Sequence, residues 1–367
     1  MRTIKCGLVG CGNISEIYFK NSKVFESVEI VACADLMKER AEAKAAAHGI
    51  AKACTVQELL ADPAIEIVIN LTIPKAHAEV AFAAVEAGKS VYNEKPLTIS
   101  REDGKKLLDM AKAKKVLVGC APDTFMGAGI QTSRKLIDDG WIGEPVAATA
   151  FMMCHGHEDW HPDPDFYYQP GGGPMFDMGP YYLTALVNLI GPMRRIAGSA
   201  RATFPERLIT SEPKYGTVIT VNTPTHIAGT IDFHNGAIGT IVTTFDVWGH
   251  HLPCIEIHGT TGSMSVPDPN SFGGVIQVKR GKKGEWKEIP YCFGYNENSR
   301  CIGVADMAYA LQSGRPHRAN GAMAYHVLDA MHAFLDSSAS GQYVELKSTC
   351  DKPAALPLGL VHGTLDS

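Results

Sequence analysis

The chain has 367 residues, of which 45% are hydrophobic and 20% charged, and its formal net charge is -5 at pH 7. This composition favours a folded protein of two domains and excludes a long disordered region. Lysine and arginine are dispersed without a basic run, so no nucleic-acid partner is expected.

No signal peptide and no membrane-spanning helix are predicted, because the chain starts directly with a strand and a glycine turn and has no long apolar run. The 10 cysteines include no C-x-x-C pair. They are therefore expected to be free thiols of a cytoplasmic protein.

Residues 1–122 alternate short β-branched strands with amphipathic helices, which is typical of a parallel sheet built from βαβ units. The predicted strands are 3–9, 29–34, 67–71, 90–93 and 116–120. Predicted helices include 38–48 and 77–87, with Gly49 and Gly88 as their stops. The first domain is thus predicted to be a Rossmann-type, doubly wound sheet.

Residues 123–367 are predicted to form a second α/β domain with an open, largely antiparallel sheet. One helix is expected at 125–139, and a further helix is expected to begin near Pro174. The predicted strands are 146–153, 217–221, 227–233, 237–246, 254–258 and 343–346, and the late helices are 302–311 and 321–338.

The first turn, V-G-C-G-N-I-S, carries the glycines of a dinucleotide-binding fingerprint, Gly10 and Gly12, followed by Asn13 and Ile14 at the start of a helix. Asp35 ends the second predicted strand about twenty residues further on, where a carboxylate can accept ribose hydroxyls. Because that carboxylate would repel a 2′-phosphate and residue 36 is leucine, NAD is favoured over NADP as the cofactor. An ordinary glycine turn and a solvated Asp35 are the alternatives.

The segment N-E-K-P places Glu94 and Lys95 just after the fourth predicted strand, at the carboxyl edge where doubly wound sheets bind ligands. Pro96 restricts the backbone of Lys95 and so helps to aim its side chain. A partly desolvated lysine near a positive nicotinamide ring is expected to have a lowered pKa. The alternative is a surface lysine at a strand end.

A second group of polar residues lies in G-G-G-P-M-F-D-M-G-P-Y-Y, residues 171–182. On one continuous helix, Asp177 and Tyr181 would share a face. The alternative is a helix start in which the tyrosines pack in the core.

The stretch H-G-H-E-D-W-H contains H-E-x-x-H, but the following prolines, Pro162 and Pro164, argue against the helix that a zinc protease motif needs. No metal is predicted, although a loop site formed by the histidines stays open as an alternative. We interpret the segment as a loop that contacts the substrate, or otherwise as a surface loop. Its contact residues would be His155, His157, Trp160 and His161.

Asp123 follows the last predicted strand of the first domain. Its carboxylate either binds a substrate hydroxyl or caps the next helix.

Together these motifs resemble the glucose-fructose oxidoreductase, inositol dehydrogenase and rhizopine-catabolism (Gfo/Idh/MocA) family. The resemblance extends to L-T-I-P-K-A-H-A-E-V at 71–80 and I-H-G-T-T-G-S-M at 257–264. It implies a second domain whose sheet covers the nicotinamide and mediates assembly into a homodimer or homotetramer. It also implies a catalytic Lys95, often with a cis bond before the proline.

The resemblance further implies that Thr72, Pro74 and His77 line the cofactor and that Asp177 binds substrate hydroxyls or supports proton transfer. The chain departs from the D-x-G-x-H-x-x-D pattern of many members, because Tyr181 stands in place of the histidine. By analogy with branches that carry tyrosine there, Tyr181 is expected to exchange the proton, with its phenolate stabilised by Lys95. Tyr182 is the fallback.

The predicted function is NAD-dependent hydride transfer to or from a secondary alcohol of a sugar, glycoside or related polyol. The resemblance leaves two alternatives. One is hydrolysis of glycosides by transient oxidation with retained NAD, and the other is a non-catalytic sugar or dinucleotide sensor.

Overall fold

The computed structural model describes residues 2–366, and it begins with a six-stranded parallel sheet. Its strands are β1 (Ile4–Val9), β2 (Val28–Ala34), β3 (Lys52–Cys54), β4 (Ile67–Asn70), β5 (Ser90–Asn93) and β6 (Val118–Cys120), in the order β3-β2-β1-β4-β5-β6. The central strands are apolar and buried along nearly their whole length because helices cover both faces. This order is that of the Rossmann fold, as predicted.

The helices of this unit are α1 (Ser15–Asn21), α2 (Lys38–His48), α3 (Val56–Ala61), α4 (Pro74–Glu86) and α5 (Arg101–Lys114). The predicted glycine stops are confirmed, since Gly49 caps α2 in a left-handed conformation and Gly88 follows the end of α4. Strand β3 was not predicted, because its three residues, K-A-C, carry no alternating apolar pattern.

The second unit contains a nine-stranded sheet with helices α6 (Ala128–Asp138), α7 (Gly173–Asp177), α8 (Gly179–Leu189), α9 (Ile302–Ser313) and α10 (Gly321–Ser340). Its strands are β7 (Pro145–Met153), β8 (Met193–Arg201), β11 (His226–Phe233), β12 (Ile238–Thr244), β13 (Ile255–Gly259), β14 (Gly262–Val266), β15 (Ile276–Arg280), β16 (Lys287–Ile289) and β17 (Val344–Glu345). A separate ribbon pairs β9 (Glu206–Leu208) with β10 (Val218–Thr220). The large sheet is antiparallel except where β12 runs parallel to β7, which confirms the predicted open, largely antiparallel sheet.

Several predicted elements differ from the structure. The helix expected at 125–139 begins as a short 3-10 turn, Thr124–Met126, and breaks at Gly127, which packs against the backbone of Phe272. The strand expected at 217–221 lies in the small ribbon and not in the main sheet. Strand β8 was missed because its sequence, M-R-R-I-A-G-S-A-R, is basic and rich in small residues.

The last two helices join the two units. Helix α9 packs on β2 and β6, α10 packs on α5, and an isolated bridge pairs Gly119 with Asn320. The carboxyl edge of the parallel sheet faces the second unit, since Lys95, just after β5, contacts Asp177 of that unit. Within residues 2–366, no helix combines the length and apolar character that a bilayer crossing requires.

Candidate active site

A cavity of about 750 Å³ lies between the carboxyl edge of the parallel sheet and the second unit. One wall comes from the turns after β1, β4 and β5, and the other from α7, α8 and the loop after β7. The predicted residues that line it are Gly12, Asn13, Ile14, Thr72, Pro74, Glu94, Lys95, His157, Trp160, His161, Asp177 and Tyr181. These site residues were predicted from separate motifs, of which Gly12 and Tyr181 lie 169 positions apart (181 minus 12). The fold brings them together in one cavity.

The glycine turn forms one end of the cavity. Gly10 has a φ of +98°, and a Cβ there would lie 2.6 Å from the backbone carbonyl of Leu71, so the turn requires glycine. A Cβ on Gly12 would meet nothing within 4 Å, which leaves open space at the start of α1. This is the free volume that a pyrophosphate needs next to exposed main-chain N–H groups.

Asp35 is fixed beside that turn. Its carboxylate accepts hydrogen bonds from the backbone N–H groups of Cys11 (2.7 Å) and Met37 (2.9 Å), and Leu36 is fully exposed. Neither Gly10 nor Asp35 lines the cavity itself. The arrangement fits a dinucleotide whose adenosine ribose extends from the turn toward Asp35, as the fingerprint requires.

His77 lies behind the cavity wall and does not line it. The imidazole is completely buried, with Nδ1 2.7 Å from the carbonyl oxygen of Pro96 and Nε2 2.9 Å from that of Thr72. The prediction that His77 lines the cofactor is therefore corrected. Its imidazole instead links the turns that follow β4 and β5 and so helps to position them.

Lys95 and Asp177 form a buried ion pair that joins the two units. The Lys95 Nζ lies 2.6 Å from Asp177 Oδ1 and 2.7 Å from the Asp177 carbonyl oxygen, and the Lys95–Pro96 peptide bond is cis. Burial acts to raise the pKa of Asp177. The ammonium of Lys95 and the hydrogen bond from His157 outweigh burial and lower this pKa to about 2.

The expectation of a lowered Lys95 pKa is wrong for this structure. Burial acts in that direction, but the negative charge of Asp177 outweighs it and raises the pKa of Lys95 above its usual value. Lys95 is therefore a fixed cation and hydrogen-bond donor, and not a base. Glu94 supports the same turn, because its carboxylate accepts from Tyr18 Oη (3.1 Å) and from the backbone N–H of Lys95 (2.9 Å).

Tyr181 reaches the cavity from α8. The single helix assumed for residues 174–181 is interrupted at Met178, yet Asp177 and Tyr181 still face the same space. The Lys95 Nζ lies 5.3 Å from the centroid of the Tyr181 ring. Burial raises the pKa of Tyr181, even though the charges of Lys95 and Arg300 act to lower it. Tyr182 is buried but does not line the cavity.

Arg300 is a cavity residue that the sequence did not reveal. Its guanidinium donates to Asn270 Oδ1 (2.8 Å) and to Asn298 Oδ1 (3.0 Å), which hold it close to the phenol of Tyr181. No motif signals it, because the residue lies in an irregular segment 119 positions beyond Tyr181 (300 minus 181). Tyr167, in the 3-10 turn Asp165–Tyr168 that follows the histidine-containing loop, also lines the cavity and was not predicted.

The loop after β7 supplies the aromatic side of the cavity. Trp160 is 60% exposed and Phe166 is 43% exposed, and both line the cavity together with His157 and His161. Exposed rings of this kind can stack on the apolar face of a sugar. His155 does not line the cavity; its ring stacks on Trp248 instead, with centroids 3.3 Å apart, which corrects its assignment as a substrate contact.

Glu158 of the H-E-x-x-H stretch belongs to a buried charge network under this loop. Its carboxylate pairs with Arg207 (2.9 Å) and accepts from Tyr168 Oη, while Arg207 also pairs with Asp246. The stretch forms a single turn and not a helix. Among residues 2–366, no group of three or more histidine, cysteine, aspartate or glutamate side chains has metal-binding geometry.

Asp123 does not line the cavity and does not cap the helix that follows it. Its carboxylate accepts from the backbone N–H groups of Cys301 (3.1 Å) and Gly303 (3.0 Å), at the start of α9. Burial raises the pKa of Asp123 to about 6. Asp123 therefore neither lines the site as a substrate contact nor caps the next helix, which corrects both alternatives drawn from the sequence. It caps α9 instead, a helix distant in sequence that packs on the same sheet.

Comparison with known proteins shows matches over both units. Residues 4–121 match a family model described as an oxidoreductase family with an NAD-binding Rossmann fold, and residues 130–265 match the GFO/IDH/MocA C-terminal domain.

Two relatives are similar over most of their length. Levoglucosan dehydrogenase of Pseudarthrobacter phenanthrenivorans is 26% identical over 79% of this chain and 82% of that protein. The NAD(+)-dependent scyllo-inositol 2-dehydrogenase of Bacillus subtilis is 27% identical over 72% of this chain and 73% of that protein. A structure of levoglucosan dehydrogenase with NADH and L-sorbose superposes with a TM-score of 0.81 at 23% identity, covering 95% of this chain and 100% of that one.

Proposed function

This chain belongs to the GFO/IDH/MocA oxidoreductase family, an NAD-binding family, and from that premise we propose that it dehydrogenates a secondary alcohol of a sugar, glycoside or related polyol. The observation that carries this proposal is the buried Lys95–Asp177 pair, which sits between the cofactor turns and an aromatic, histidine-containing loop in one cavity. Hydride transfer needs a cofactor and a reacting hydroxyl at the same place, and this pair lies where the two walls meet.

When bound, NAD supplies the hydride acceptor. The turn at Gly10 and Gly12 and the carboxylate of Asp35 would hold it, with Thr72, Pro74 and Glu94 along the wall.

Lys95 would orient the substrate hydroxyl and stabilise negative charge on its oxygen, because its ammonium is fixed and stays charged. Trp160 and Phe166 would contact the sugar face and exclude water.

The choice of cofactor is tested at Asp35. We expect Asp35→Asn to raise the KM for NAD by ~10–100-fold, since a charge-assisted hydrogen bond contributes about 1.5–3 kcal/mol, and to lower the KM for NADP because the repelling charge is gone. Asp62→Asn is the control, because Asp62 also accepts a backbone N–H group, at 3.0 Å from Ala64, but at the amino edge of the sheet. If the ratio of the KM for NAD to the KM for NADP were the same in Asp35→Asn as in the wild-type protein, the assignment of Asp35 to the cofactor ribose would be contradicted.

The activity is tested with a panel of aldoses, inositols, anhydrosugars and chromogenic glycosides, each with NAD and with NADP, following NADH absorbance and reducing-sugar release. We expect NADH formation in step with ketone or lactone formation from at least one polyol. Cleavage of a glycoside with no net change in NADH would replace dehydrogenation by redox-assisted hydrolysis. Binding of a sugar with neither reaction would replace both by a sensor.

A further inference from the structure

The carboxylate of Asp177 is shared between two side chains from different parts of the chain. Oδ1 pairs with Lys95 at 2.6 Å, and Oδ2 lies 3.2 Å from Nε2 of His157. The side chains of all three are mostly buried, with exposed fractions of 17% for Lys95 and 12% for each of the other two. The result is a Lys–Asp–His arrangement at the edge of the cavity.

The hydrogen bond to Asp177 defines which nitrogen of His157 is available. In the neutral imidazole, a proton on Nε2 donates to the carboxylate, and the lone pair is then on Nδ1. No hydrogen bond within residues 2–366 engages Nδ1 of His157, and this atom is not among the fully buried side-chain atoms that lack a partner, in contrast to Nδ1 of His155. Because His157 lines the cavity, a ligand bound there has access to its imidazole.

Contacts from several sides fix the position of this imidazole. Its ring packs against Tyr167 and Phe245, with centroids 4.4 Å and 4.6 Å away. The backbone N–H of His157 donates to Glu158 Oε2 at 2.8 Å, and Glu158 is itself fixed by Arg207. The titratable groups that face the ring are Asp177 with Lys95 behind it, Tyr167 from the following 3-10 turn, and His161 from its own loop.

Tyr181 is placed less favourably for proton transfer. Lys95 lies over its ring and is hydrogen-bonded to Asp177, so the ammonium is not directed at the phenol oxygen. Burial raises the pKa of Tyr181, which makes the phenol a poor partner near neutral pH. An imidazole oriented by a carboxylate is the arrangement that suits this task at neutral pH.

We propose that His157, and not Tyr181, exchanges the hydroxyl proton of the substrate, with Asp177 as its positioning residue. This inference rests on the proposed function. In the oxidation direction the O–H bond breaks, its proton binds Nδ1 and its electron pair forms the second bond of the carbonyl group, while the carbinol hydrogen leaves with the C–H electron pair as a hydride that NAD⁺ would accept. The products are a carbonyl compound, NADH and an imidazolium, which then releases its proton to solvent.

The test compares His157→Gln with Tyr181→Phe on a substrate that the wild-type protein turns over. Glutamine can still donate to Asp177 but cannot take up a proton, so we expect kcat to fall by ~10²–10⁴-fold. Tyr181→Phe is expected to lower kcat by less than tenfold. The fall of activity on the acidic side of the wild-type pH profile should disappear in His157→Gln, and added imidazole should restore part of the kcat of His157→Ala. A large loss in Tyr181→Phe with a small loss in His157→Gln would overturn the proposal.

A second measurement does not require turnover. Diethyl pyrocarbonate modifies accessible neutral imidazoles, and peptide mass spectrometry reports which residue is labelled. We expect labelling of His157 near neutral pH and none of the fully buried His77. An unlabelled His157 would overturn the proposal even if the wild-type protein were active. A labelled His157 in a protein that oxidises no polyol would instead refute the proposed function.

Discussion

Lys95→Met is expected to lower kcat by ~10²–10³-fold, the cost of losing one fixed donor at a reacting oxygen. The ammonium contacts both a side-chain oxygen and the main-chain oxygen of Asp177, so its removal also leaves a buried carboxylate without its cation. Steady-state kinetics with the preferred polyol and NAD measure the effect. The loss should appear in kcat more than in the KM for NAD.

Lys89→Met is the matched control for this variant. Lys89 is also a buried lysine, at the opposite end of β5, where its ammonium donates to the carbonyl oxygens of Asp62 (2.7 Å) and Ile65 (2.8 Å). Its substitution should affect stability but leave kcat within a few-fold. Equal losses of kcat in both variants would mean that Lys95 acts only through the fold.

The ion pair also has a defined pH dependence. The pKa of Asp177 is lowered in the folded protein to about 2, so its contribution to stability is present above the unfolded value of ~3.9 and is lost as pH falls toward 2. The raised pKa of Lys95 keeps the other partner charged throughout the neutral range. Changes of activity between pH 5 and 8 should therefore arise from another group.

Arg207→Met is expected to lower the free energy of unfolding by about 3–5 kcal/mol, because it removes the shared cation of two buried carboxylates. Glu158 and Asp246 both pair with this guanidinium, and both are largely excluded from solvent. Urea unfolding followed by tryptophan fluorescence measures the change. Since the network holds the loop of His157, the variant should also have a raised KM for the polyol.

Arg195→Met provides the comparison. Arg195 pairs with Asp232 at 2.6 Å, but 36% of its side chain is exposed, and such pairs contribute only ~0–1 kcal/mol. Adding Glu158→Gln and Asp246→Asn to Arg207→Met should recover part of the lost stability. A cost below 1 kcal/mol for Arg207→Met alone would show that the carboxylates are solvated in solution.

The features that sequence reasoning located are those encoded within a few residues. The turn at Gly10 and Gly12, the strand ends at Asp35 and Lys95, and the glycine stops of α2 and α4 each depend on local backbone geometry. The order of the parallel strands then brings these turns to one edge of the sheet. The wall of the cavity that the turns form was therefore predictable.

The contacts that sequence reasoning missed depend on long-range packing. His157 meets Asp177 only because the loop after β7 folds over the cavity, and Arg300 arrives from an irregular segment held by asparagines. The direction of the Lys95 pKa was wrong because the sequence did not show that Asp177 would contact the ammonium directly. Asp123 was misassigned because its partners, Cys301 and Gly303, are about half the chain away.

The contact between Lys95 and Asp177 has a mechanical consequence, because each partner is anchored in a different unit. A hinge motion that separated the units would have to pull opposite charges apart in a poorly hydrated space. Ligands are therefore expected to enter and leave past the exposed rings of Trp160 and Phe166, while the contact between Lys95 and Asp177 stays closed throughout the catalytic cycle.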